Sequence, residues 1–519
     1  MGKSLISPEK VQSREYQQTI ARNVIQKGNS LVILPTGLGK TVIALLVMEE
    51  HLKKDRKVLF LAPTRPLVDQ HYKTITSLMT LPNNEVLVLN GGIPAKKRAK
   101  LWKDARVVVS TPQTISNDLK AKRIWLDDFG LAVIDECHRT IGNYAYTFVG
   151  ENCVEKGVQV LGLTASPGGK REKINALRKT LGITHIEIRV ESDEDVKPYV
   201  KGMDVSWVEV ELPKSLDTAR QLLEEVISEK LSTLKKFRLV NSTKARLPKQ
   251  VLVGMYAKIQ KHRWSNKFMK GTALSYYATV MKLAHAHELF ETQGVGSFLE
   301  YMDKIEKDKD SSKAIKRIFS DGRVQRVIDI ARSDTGEHPK LSKLVGLLCE
   351  RRGKKAMVFV QYRSQVKRIE EELLKNGLRA KQFVGKRDGV TGKQQKETMQ
   401  EFRDSAFDIL VASSIGEEGL DVPSVDTVIF YEPVPSEIRT IQRRGRAGRA
   451  KTGEVIVLIT KGTRDEVYYW VSKKREKNMK KIVKGMQASE ETGKKGFKRA
   501  SEKNFEVKKA GQRSINDFF

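Results

Sequence analysis

The segment Leu34-Pro35-Thr36-Gly37-Leu38-Gly39-Lys40-Thr41 decides the fold, because it joins a predicted buried strand, SLVILP (30–35), to a predicted helix. Glycines at such a turn let backbone N–H groups approach phosphate oxygens, and a lysine at the helix start neutralises their charge. Thr41 is placed to ligate Mg²⁺ beside the phosphates of ATP. Leu34 departs from the strict pattern, which has Gly or Ala there, and a glycine-rich turn with a purely structural role is the alternative. We interpret the segment as an ATP-binding P-loop.

Apolar runs repeat around this loop and predict two α/β domains. Six runs of Val, Leu and Ile alternate with helical patterns between residues 30 and 166, and five more follow residue 354. Nearly continuous apolar strands are typical of parallel sheets that are covered on both faces. The stretch between the domains has helical periodicity, and the last stretch is Lys-rich without a clear period. We therefore expect α/β domains at 1–202 and 336–471, a helical insert at 203–335 and a flexible basic tail at 472–519.

The overall charge favours a polyanionic partner. Lys and Arg number 95 against 63 Asp and Glu, which gives a formal net charge of +32. Such a field attracts nucleic acids, although a soluble basic protein without this function is the alternative. No apolar run approaches the ~18 residues of a membrane span, and no secretion signal is visible. Three scattered cysteines (Cys137, Cys153 and Cys349) argue against zinc and disulfides, so we expect an intracellular, nucleoid-associated protein.

A pair of acids follows another predicted strand, LAVI (131–134), in Asp135-Glu136-Cys137-His138. The carboxyl ends of strands are where open α/β sheets bind ligands. Asp135 would hold Mg²⁺ through water, and Glu136 would orient and deprotonate the water that attacks ATP. A helix N-cap with acids in the first turn is the structural alternative. Cys137 and His138 have no further metal ligands spaced around them, so we do not expect zinc here.

Four arginines cluster in the second α/β domain, within Gln442-Arg443-Arg444-Gly445-Arg446-Ala447-Gly448-Arg449. A solvated basic helix is the usual meaning of such a run. The P-loop domain has no arginine finger of its own, and a second domain can supply one across a cleft. This favours a functional role for the arginines over a solvated helix. We therefore predict that this segment reaches ATP bound to the first domain.

In order and spacing, these segments resemble the motifs of superfamily 2 helicases, which have two RecA-like domains. The resemblance implies that Arg14 and Gln17 contact the adenine side of ATP, and that Thr164-Ala165-Ser166 couples the ATP state to domain closure. It assigns nucleic-acid contacts to Thr64, Arg65, Thr111 and Gln361. It also assigns a role in binding or hydrolysing ATP to Gly419, Asp421, Gln442, Arg446 and Arg449, the last two as arginine fingers.

Within that superfamily, the sequence most resembles the archaeal Hef helicases and their Fanconi anaemia M relatives. The resemblance is carried by PTGLGKT, DECHR, SSIGEEGLDVPSVD and QRRGRAGR, together with the helical insert. It implies an ATP-dependent DNA helicase that remodels stalled forks and branched DNA, with the insert at the branch. Family members often continue into an XPF-like nuclease and paired helix-hairpin-helix motifs. Neither appears in this sequence, which is either the helicase portion of a longer protein or a stand-alone form, so nuclease activity is not carried over.

The DECH box leaves a second class of function open. Dicer and the antiviral RNA-sensor helicases share it, so a double-stranded-RNA-dependent ATPase is the alternative. Those sensors carry a zinc-binding domain that needs four cysteines, and this chain has three. A basic scaffold with a degenerate ATP site is a third interpretation, which the intact Lys40, Glu136 and Arg449 disfavour.

The insert contains a long stretch without acids. From Leu231 to His287 there is no Asp or Glu, whereas twelve Lys or Arg occur there with Phe237, Tyr256, Trp264 and Phe268 among them. A neutral basic surface is the alternative to a nucleic-acid surface. We predict that this surface binds a duplex arm or branch through phosphate contacts and aromatic stacking. The candidate residues are Lys235, Lys236, Arg238, Lys258, Lys261 and Arg263.

The last eight residues resemble a sliding-clamp-binding box. Gln512 is followed three residues later by Ile515 and then by Phe518 and Phe519. A single 3₁₀ turn would gather the three apolar side chains into one plug. Docking on the protein's own surface is the alternative. We predict a sliding clamp as a partner.

Overall fold

The computed structural model describes residues 4–82, 84–142, 144–168, 171–199, 203–247, 249–307, 312–334, 338–385, 390–413, 425–433 and 453–491. Among them, no helix is long and apolar enough to cross a membrane. Several predicted site residues lie outside the described residues; they are Gly419, Asp421, Gln442, Arg446, Arg449, Gln512, Ile515, Phe518 and Phe519.

The first sheet contains the parallel strands β1 (Ser30–Ile33), β2 (Lys57–Leu61), β3 (Val86–Leu89), β4 (Val107–Ser110), β5 (Phe129–Asp135), β6 (Gln159–Thr164) and β7 (His185–Ile188). Their order is β3-β4-β2-β5-β6-β1-β7. Around them lie α1 (Glu15–Lys27), α2 (Lys40–Lys53), α3 (Arg65–Leu78), α4 (Ala95–Asp104), α5 (Pro112–Lys120), α6 (Tyr144–Glu155) and α7 (Arg171–Thr180). β1 to β6 confirm the six predicted runs. β7 is absent from the prediction because its sequence, HIEI, is half polar; its His185 and Glu187 are buried as a pair, 2.7 Å apart.

The insert is a helical bundle, as predicted. Its helices are α8 (Lys214–Lys236), α9 (Lys249–Lys261), α10 (Lys267–Gln293), α11 (Val295–Glu306), α12 (Lys313–Phe319) and α13 (Gly322–Ser333). Leu223, Ile227 and Leu234 recur at helical spacing along α8, and all three are fully buried in the bundle core. This apolar stripe, with the matching face of α10, gives the bundle a core of its own.

The second sheet contains β8 (Met203–Val210), β9 (Ala356–Phe359), β10 (Ala380–Phe383), β11 (Ile409–Ala412), β12 (Thr427–Phe430) and β13 (Gly453–Thr460). All pair in parallel, in the order β10-β11-β9-β12-β13-β8. The other α-helices among the described residues are α14 (Pro339–Cys349), α15 (Arg363–Lys375), α16 (Gly392–Arg403) and α17 (Arg464–Glu491). The predicted fold class, two α/β sheets separated by a helical insert, is thus confirmed.

The predicted start of the insert at residue 203 is wrong. Residues 203–210 form β8, which pairs with β13 from Met203 opposite Gly453 to Val210 opposite Thr460. The sequence of this strand, MDVSWVEV, has no continuous apolar run, because an edge strand is covered on fewer sides than a central one. Trp207 remains 51% exposed. The bundle therefore begins at α8.

The prediction of a flexible tail from residue 472 is also wrong as far as Glu491. Those residues continue α17, and Met479, Val483 and Met486 are buried in the core of the first sheet. Their spacing of four and three residues places them on one face of a helix. The pattern escapes prediction because the other faces are Lys-rich and few apolar positions mark the buried one.

Candidate active site

The P-loop follows β1 and ends at the first turn of α2. Gly37 and Gly39 have φ of +84° and +82°, a left-handed conformation that glycine adopts without steric cost. Lys40 is the first residue of α2, and its Nζ donates to the carbonyl oxygens of Leu34 at 3.0 Å and of Pro35 at 3.5 Å. Leu34, which stands where the usual pattern has Gly or Ala, is fully buried, and its side chain packs in the core of the first domain.

The start of α1 packs on the P-loop. Gln17 is 3% exposed; its Nε2 donates to the Leu38 carbonyl at 3.0 Å, and its Oε1 accepts from the Arg14 N–H at 3.0 Å. The Tyr16 hydroxyl donates to the same carbonyl at 2.7 Å, and the Arg14 guanidinium donates to this hydroxyl at 3.1 Å. A Cβ at Gly39 would overlap Gln17 Nε2. Of the predicted adenine-side residues, Gln17 therefore contacts the phosphate-binding loop directly, and Arg14 is linked to it through Tyr16 and Gln17.

The acidic pair lies at the same edge of the sheet. β6 separates β1 from β5, with Ile33 paired to Thr164 and Leu163 paired to Asp135. The carboxyl ends of the three strands thus bring together the P-loop, the Thr164-Ala165-Ser166 segment and the acids. Glu136 has φ +49° and ψ +45°, so the chain turns sharply directly after β5.

Asp135 is bound by a histidine that sequence reasoning missed. His71 Nε2 of α3 lies 2.9 Å from Asp135 Oδ2, and both side chains are nearly buried. Burial acts to raise the pKa of Asp135, but the hydrogen bond from His71 and the charges of His71 and Lys40 outweigh it and lower this pKa. The carboxylate is therefore held ionised, as a Mg²⁺ ligand requires. A single helical histidine carries no sequence signal for this role.

Glu136 belongs to a chain of polar contacts that reaches β6. Its Oε2 is buried without a hydrogen bond, 3.2 Å from His138 Nδ1. His138 Nδ1 also lies 3.0 Å from Thr164 Oγ1, and Thr164 Oγ1 accepts from the Ser166 N–H at 3.1 Å. His138 thus connects the acidic pair to the Thr164-Ala165-Ser166 segment. The structure supports this connecting role rather than the role of a zinc ligand, which the neighbouring Cys137 would suggest.

The predicted nucleic-acid residues of the first domain occupy helix N-termini. Thr64 is the N-cap of α3 and Thr111 the N-cap of α5, while β2 and β4 pair with Leu61 opposite Ser110. Two helix N-termini therefore lie side by side at one sheet edge, an arrangement suited to binding phosphates. Arg65 is exposed, and the space beside Gly91 accommodates its guanidinium.

In the second domain, Gln361 follows β9 and is tied to its own sheet. Its backbone N–H donates to Glu432 Oε2 at 3.0 Å. The next residue, Tyr362, donates its hydroxyl to Glu288 of α10 at 2.9 Å. The strand end that carries the predicted nucleic-acid residue is therefore also bound to the insert.

The six cationic candidates of the insert gather at one end of the bundle. All six are exposed, and they lie at or just beyond the C-terminal ends of α8 and α9. These two ends meet where Phe237 packs edge-on against Trp264, with ring centroids 5.5 Å apart. These two aromatic rings thus serve the bundle core, whereas Tyr256 and Phe268 are 48% and 76% exposed.

A partly buried ionic cluster lies deeper in the bundle. The carboxylates of Glu224 and Glu291 and the imidazole of His287 come close enough to hold a metal ion. Arg246 Nη2, however, lies 2.7 Å from Glu224 and 2.9 Å from Glu291. Because the guanidinium already supplies the positive charge, we interpret the cluster as an ion-pair network.

Family models match all three parts of the chain. The "DEAD/DEAH box helicase" model matches residues 14–174, and the "Helicase conserved C-terminal domain" model matches residues 339–451. Residues 215–334 match "Putative ATP-dependent RNA helicase, helical bundle". These matches, with the P-loop and acidic pair at one sheet edge, define the class: ATP-dependent helicases of superfamily 2.

Individual relatives narrow the class to one family. The crystal structure of the Pyrococcus furiosus Hef helicase domain is 44% identical with a TM-score of 0.72, and the match covers 90% of this chain and all of that one. The chain therefore belongs to the Hef helicase family.

Curated relatives are longer. The protein named "Putative ATP-dependent RNA helicase MJ1505", from Methanocaldococcus jannaschii, is 40% identical over 93% of this chain and 62% of its own length. The ATP-dependent DNA helicase mph1 of Neurospora crassa is 32% identical over 88% of this chain and 41% of its own length. The chain thus spans less than two thirds of these relatives.

Proposed function

We propose that this chain hydrolyses ATP at the edge formed by β1, β6 and β5 and uses the energy to move along nucleic acid. The juxtaposition of Lys40 with Asp135 and Glu136 at that edge carries the proposal. Lys40 neutralises the transferred phosphoryl group, and Glu136 accepts the proton of the attacking water. Arg14, Gln17 and the P-loop backbone hold the nucleotide.

Thr41 and Asp135 fit a Mg²⁺ site. Asp135 is a nearly buried carboxylate whose pKa is lowered, and Thr41 stands in the first turn of α2, beside Lys40. A bound Mg²⁺ would neutralise phosphate charge. His71 holds the Asp135 carboxylate in place for that purpose.

The second domain completes the site in this proposal. Arg446 and Arg449 act as arginine fingers, and Gln442, Gly419 and Asp421 complete the nucleotide contacts. These assignments rest on the resemblance of their motifs, because all five residues lie outside the described part of the chain. Domain closure and hydrolysis are then one event, since the fingers reach the phosphates only when the cleft closes.

The substrate proposed for the motor is forked or branched DNA at stalled replication forks. Thr64, Arg65, Thr111 and Gln361 contact the backbone, and the exposed cationic end of the insert holds a duplex arm. Contacts to phosphates make binding largely independent of sequence and sensitive to salt. Membership of the Hef family and the DNA helicase relatives support this choice.

Double-stranded RNA is the second candidate substrate. The names of the helical-bundle family and of the Methanocaldococcus relative both mention RNA helicases. Strand separation distinguishes the two. We expect ATP-dependent release of a labelled strand from a DNA fork, no release by Lys40→Ala, and weaker release from the matching RNA. Release from RNA alone would overturn the DNA proposal.

The sliding clamp is proposed as a partner through Gln512, Ile515, Phe518 and Phe519. A peptide covering residues 505–519 should bind the cognate clamp, and replacing both phenylalanines by alanine should abolish binding. Binding that is absent, or that survives the double substitution, would remove the clamp from the proposal.

A further inference from the structure

Helix α17 leaves the second sheet and docks on the first. Beside the buried Met479, Val483 and Met486, the side chain of Gln487 accepts from the Ile188 N–H of β7 at 3.1 Å. Lys484 Nζ lies 2.7 Å from Asp193 Oδ1. The C-terminal half of the helix is thus fixed to the first domain by both apolar and polar contacts.

The N-terminal end of α17 is fixed to the other two parts of the molecule. Lys340 of α14 and Asp465 form an ion pair whose side chains are fully buried. The Arg464 N–H donates to Glu291 of the insert at 3.4 Å, and its guanidinium Nη1 lies 3.7 Å from Glu288. A single helix therefore contacts the second sheet, the insert and the first sheet.

One contact of α17 reaches the candidate active site. The Ser166 hydroxyl donates to Met479 Sδ at 2.9 Å, and both side chains are buried. Ser166 donates its N–H to Thr164, Thr164 contacts His138, and His138 lies beside Glu136. Four consecutive contacts thus lead from α17 to the glutamate that is proposed to activate water.

We propose that Met479 is a positioning residue for ATP hydrolysis. Its thioether accepts the Ser166 hydroxyl and holds Ser166 where its N–H meets Thr164, so that His138 stays beside Glu136. Because α17 also carries Arg464 and Asp465, a movement of the second domain or the insert is transmitted to Glu136 through this sulfur. This inference rests on the proposed role of Glu136.

Met479→Leu tests the idea, because it keeps the apolar volume but removes the sulfur acceptor. Met486→Leu is the matched control: Met486 lies on the same buried face of α17, whereas the Ser166 hydroxyl is bonded to Met479. In the full chain with fork DNA, Met479→Leu should lower kcat for ATP by about 2-fold to about 30-fold, the range expected for residues along a coupled network. The KM for ATP and the thermal midpoint should match those of Met486→Leu, since such swaps conserve packing.

Ser166→Ala should lower kcat similarly. Adding Met479→Leu to it should lower kcat no further, because both substitutions remove the same hydrogen bond. Equal kcat for the two leucine variants, or multiplying effects of Ser166→Ala and Met479→Leu, would overturn the proposal. Failure of the underlying site assignment is separate: it would appear as turnover retained by Glu136→Gln, whatever Met479→Leu does.

Discussion

Glu136 combines a strained backbone with an unbonded carboxylate oxygen. A positive φ is uncommon for a residue other than glycine and is often found at functional sites. Here it turns the chain directly after β5, which keeps both acids at the edge beside the P-loop. The neighbouring Asp135 has its oxygen bound by His71, whereas Glu136 Oε2 is buried without a hydrogen bond. The two acids therefore suit different tasks, one holding a cation and the other accepting a proton.

Glu136→Gln should bind ATP as the unchanged chain does but lose turnover. The amide keeps the shape of the side chain and cannot accept a proton, so we expect a loss of at least about 100-fold in kcat. Arg449→Ala should cost about 1,000-fold or more while sparing binding. Nucleotide binding and steady-state hydrolysis with DNA are the measurements, and Glu151→Gln, at an exposed position of α6, is the control. Near-normal turnover in either site variant would refute the assignment.

Gly39 is constrained both by its backbone and by Gln17. Gly39→Ala and Gly37→Ala share the cost of a left-handed alanine, about 1–2 kcal/mol, but only at position 39 does the new methyl group displace the Gln17 amide from Leu38. Gly39→Ala should therefore lower the thermal midpoint more than Gly37→Ala.

Gln17→Ala tests the same contact between Gln17 and the P-loop from the other side. It should destabilise the unchanged chain by about 1 kcal/mol, the value of one hydrogen bond, yet cost little in the Gly39→Ala background. Equal costs of Gln17→Ala in the two backgrounds would show that Gln17 and the loop are independent.

At the scale of elements, the sequence predicts what hydrophobic periodicity encodes. β1 to β6 are continuous apolar runs, so their positions and the P-loop and acidic pair at their ends follow directly. β7 and β8 escape because one depends on a His–Glu pair and the other is an edge strand. The contacts of His71 and Met479 join residues far apart in the chain, and no spacing rule encodes them. The predicted start of the tail at residue 472 is wrong for the same reason, since the buried face of α17 is specified by the distant core of the first domain.

The clustering of the insert cations predicts an effect on salt dependence. Lys258→Glu with Lys261→Glu should weaken binding to a DNA fork and lower the slope of log affinity against log salt by about 2, one for each lost phosphate contact. Lys367→Glu with Lys393→Glu is the matched control, because both lysines are exposed on the second domain. Affinity and ATP binding are measured over a series of salt concentrations. If the two double variants give the same slope, the surface has no role in fork binding.

The ion-pair network of the insert predicts a response to acid. Burial acts to raise the pKa of Glu224, but the nearby His287 imidazole, 3.4 Å away, and the charge of Arg246 lower it to about 2, from an ordinary value of 4.5. A carboxyl group whose pKa is lowered in the folded state stabilises the fold at pH values above its pKa in the unfolded chain. This contribution is lost as the pH falls from 4.5 to about 2.

Glu224→Gln should therefore flatten the dependence of the thermal midpoint on pH within that window. The exposed neighbour, Glu225→Gln, should leave it unchanged. Parallel curves for the Glu224 variant and the unchanged chain would contradict the role given to this network.

At the scale of the whole molecule, buried polar contacts join the insert to the second α/β domain. Gln365 Nε2 donates to the Gln293 carbonyl at 2.5 Å, and Tyr362 donates to Glu288. Breaking such buried groups apart is costly, so we expect the insert and the second domain to move together. Nucleic acid held by the insert would then shift against the backbone contacts of the first domain each time the cleft closes.

The rate of ATP hydrolysis over a panel of nucleic acids tests this account most directly. The panel comprises forked, four-way, duplex and single-stranded DNA, together with the matching RNAs, at one salt concentration. A motor whose insert holds a duplex arm while its first domain grips a backbone should hydrolyse ATP fastest on forked or four-way DNA, and Lys258→Glu with Lys261→Glu should remove that preference. Equal stimulation by all DNA structures, or greater stimulation by double-stranded RNA, would contradict it.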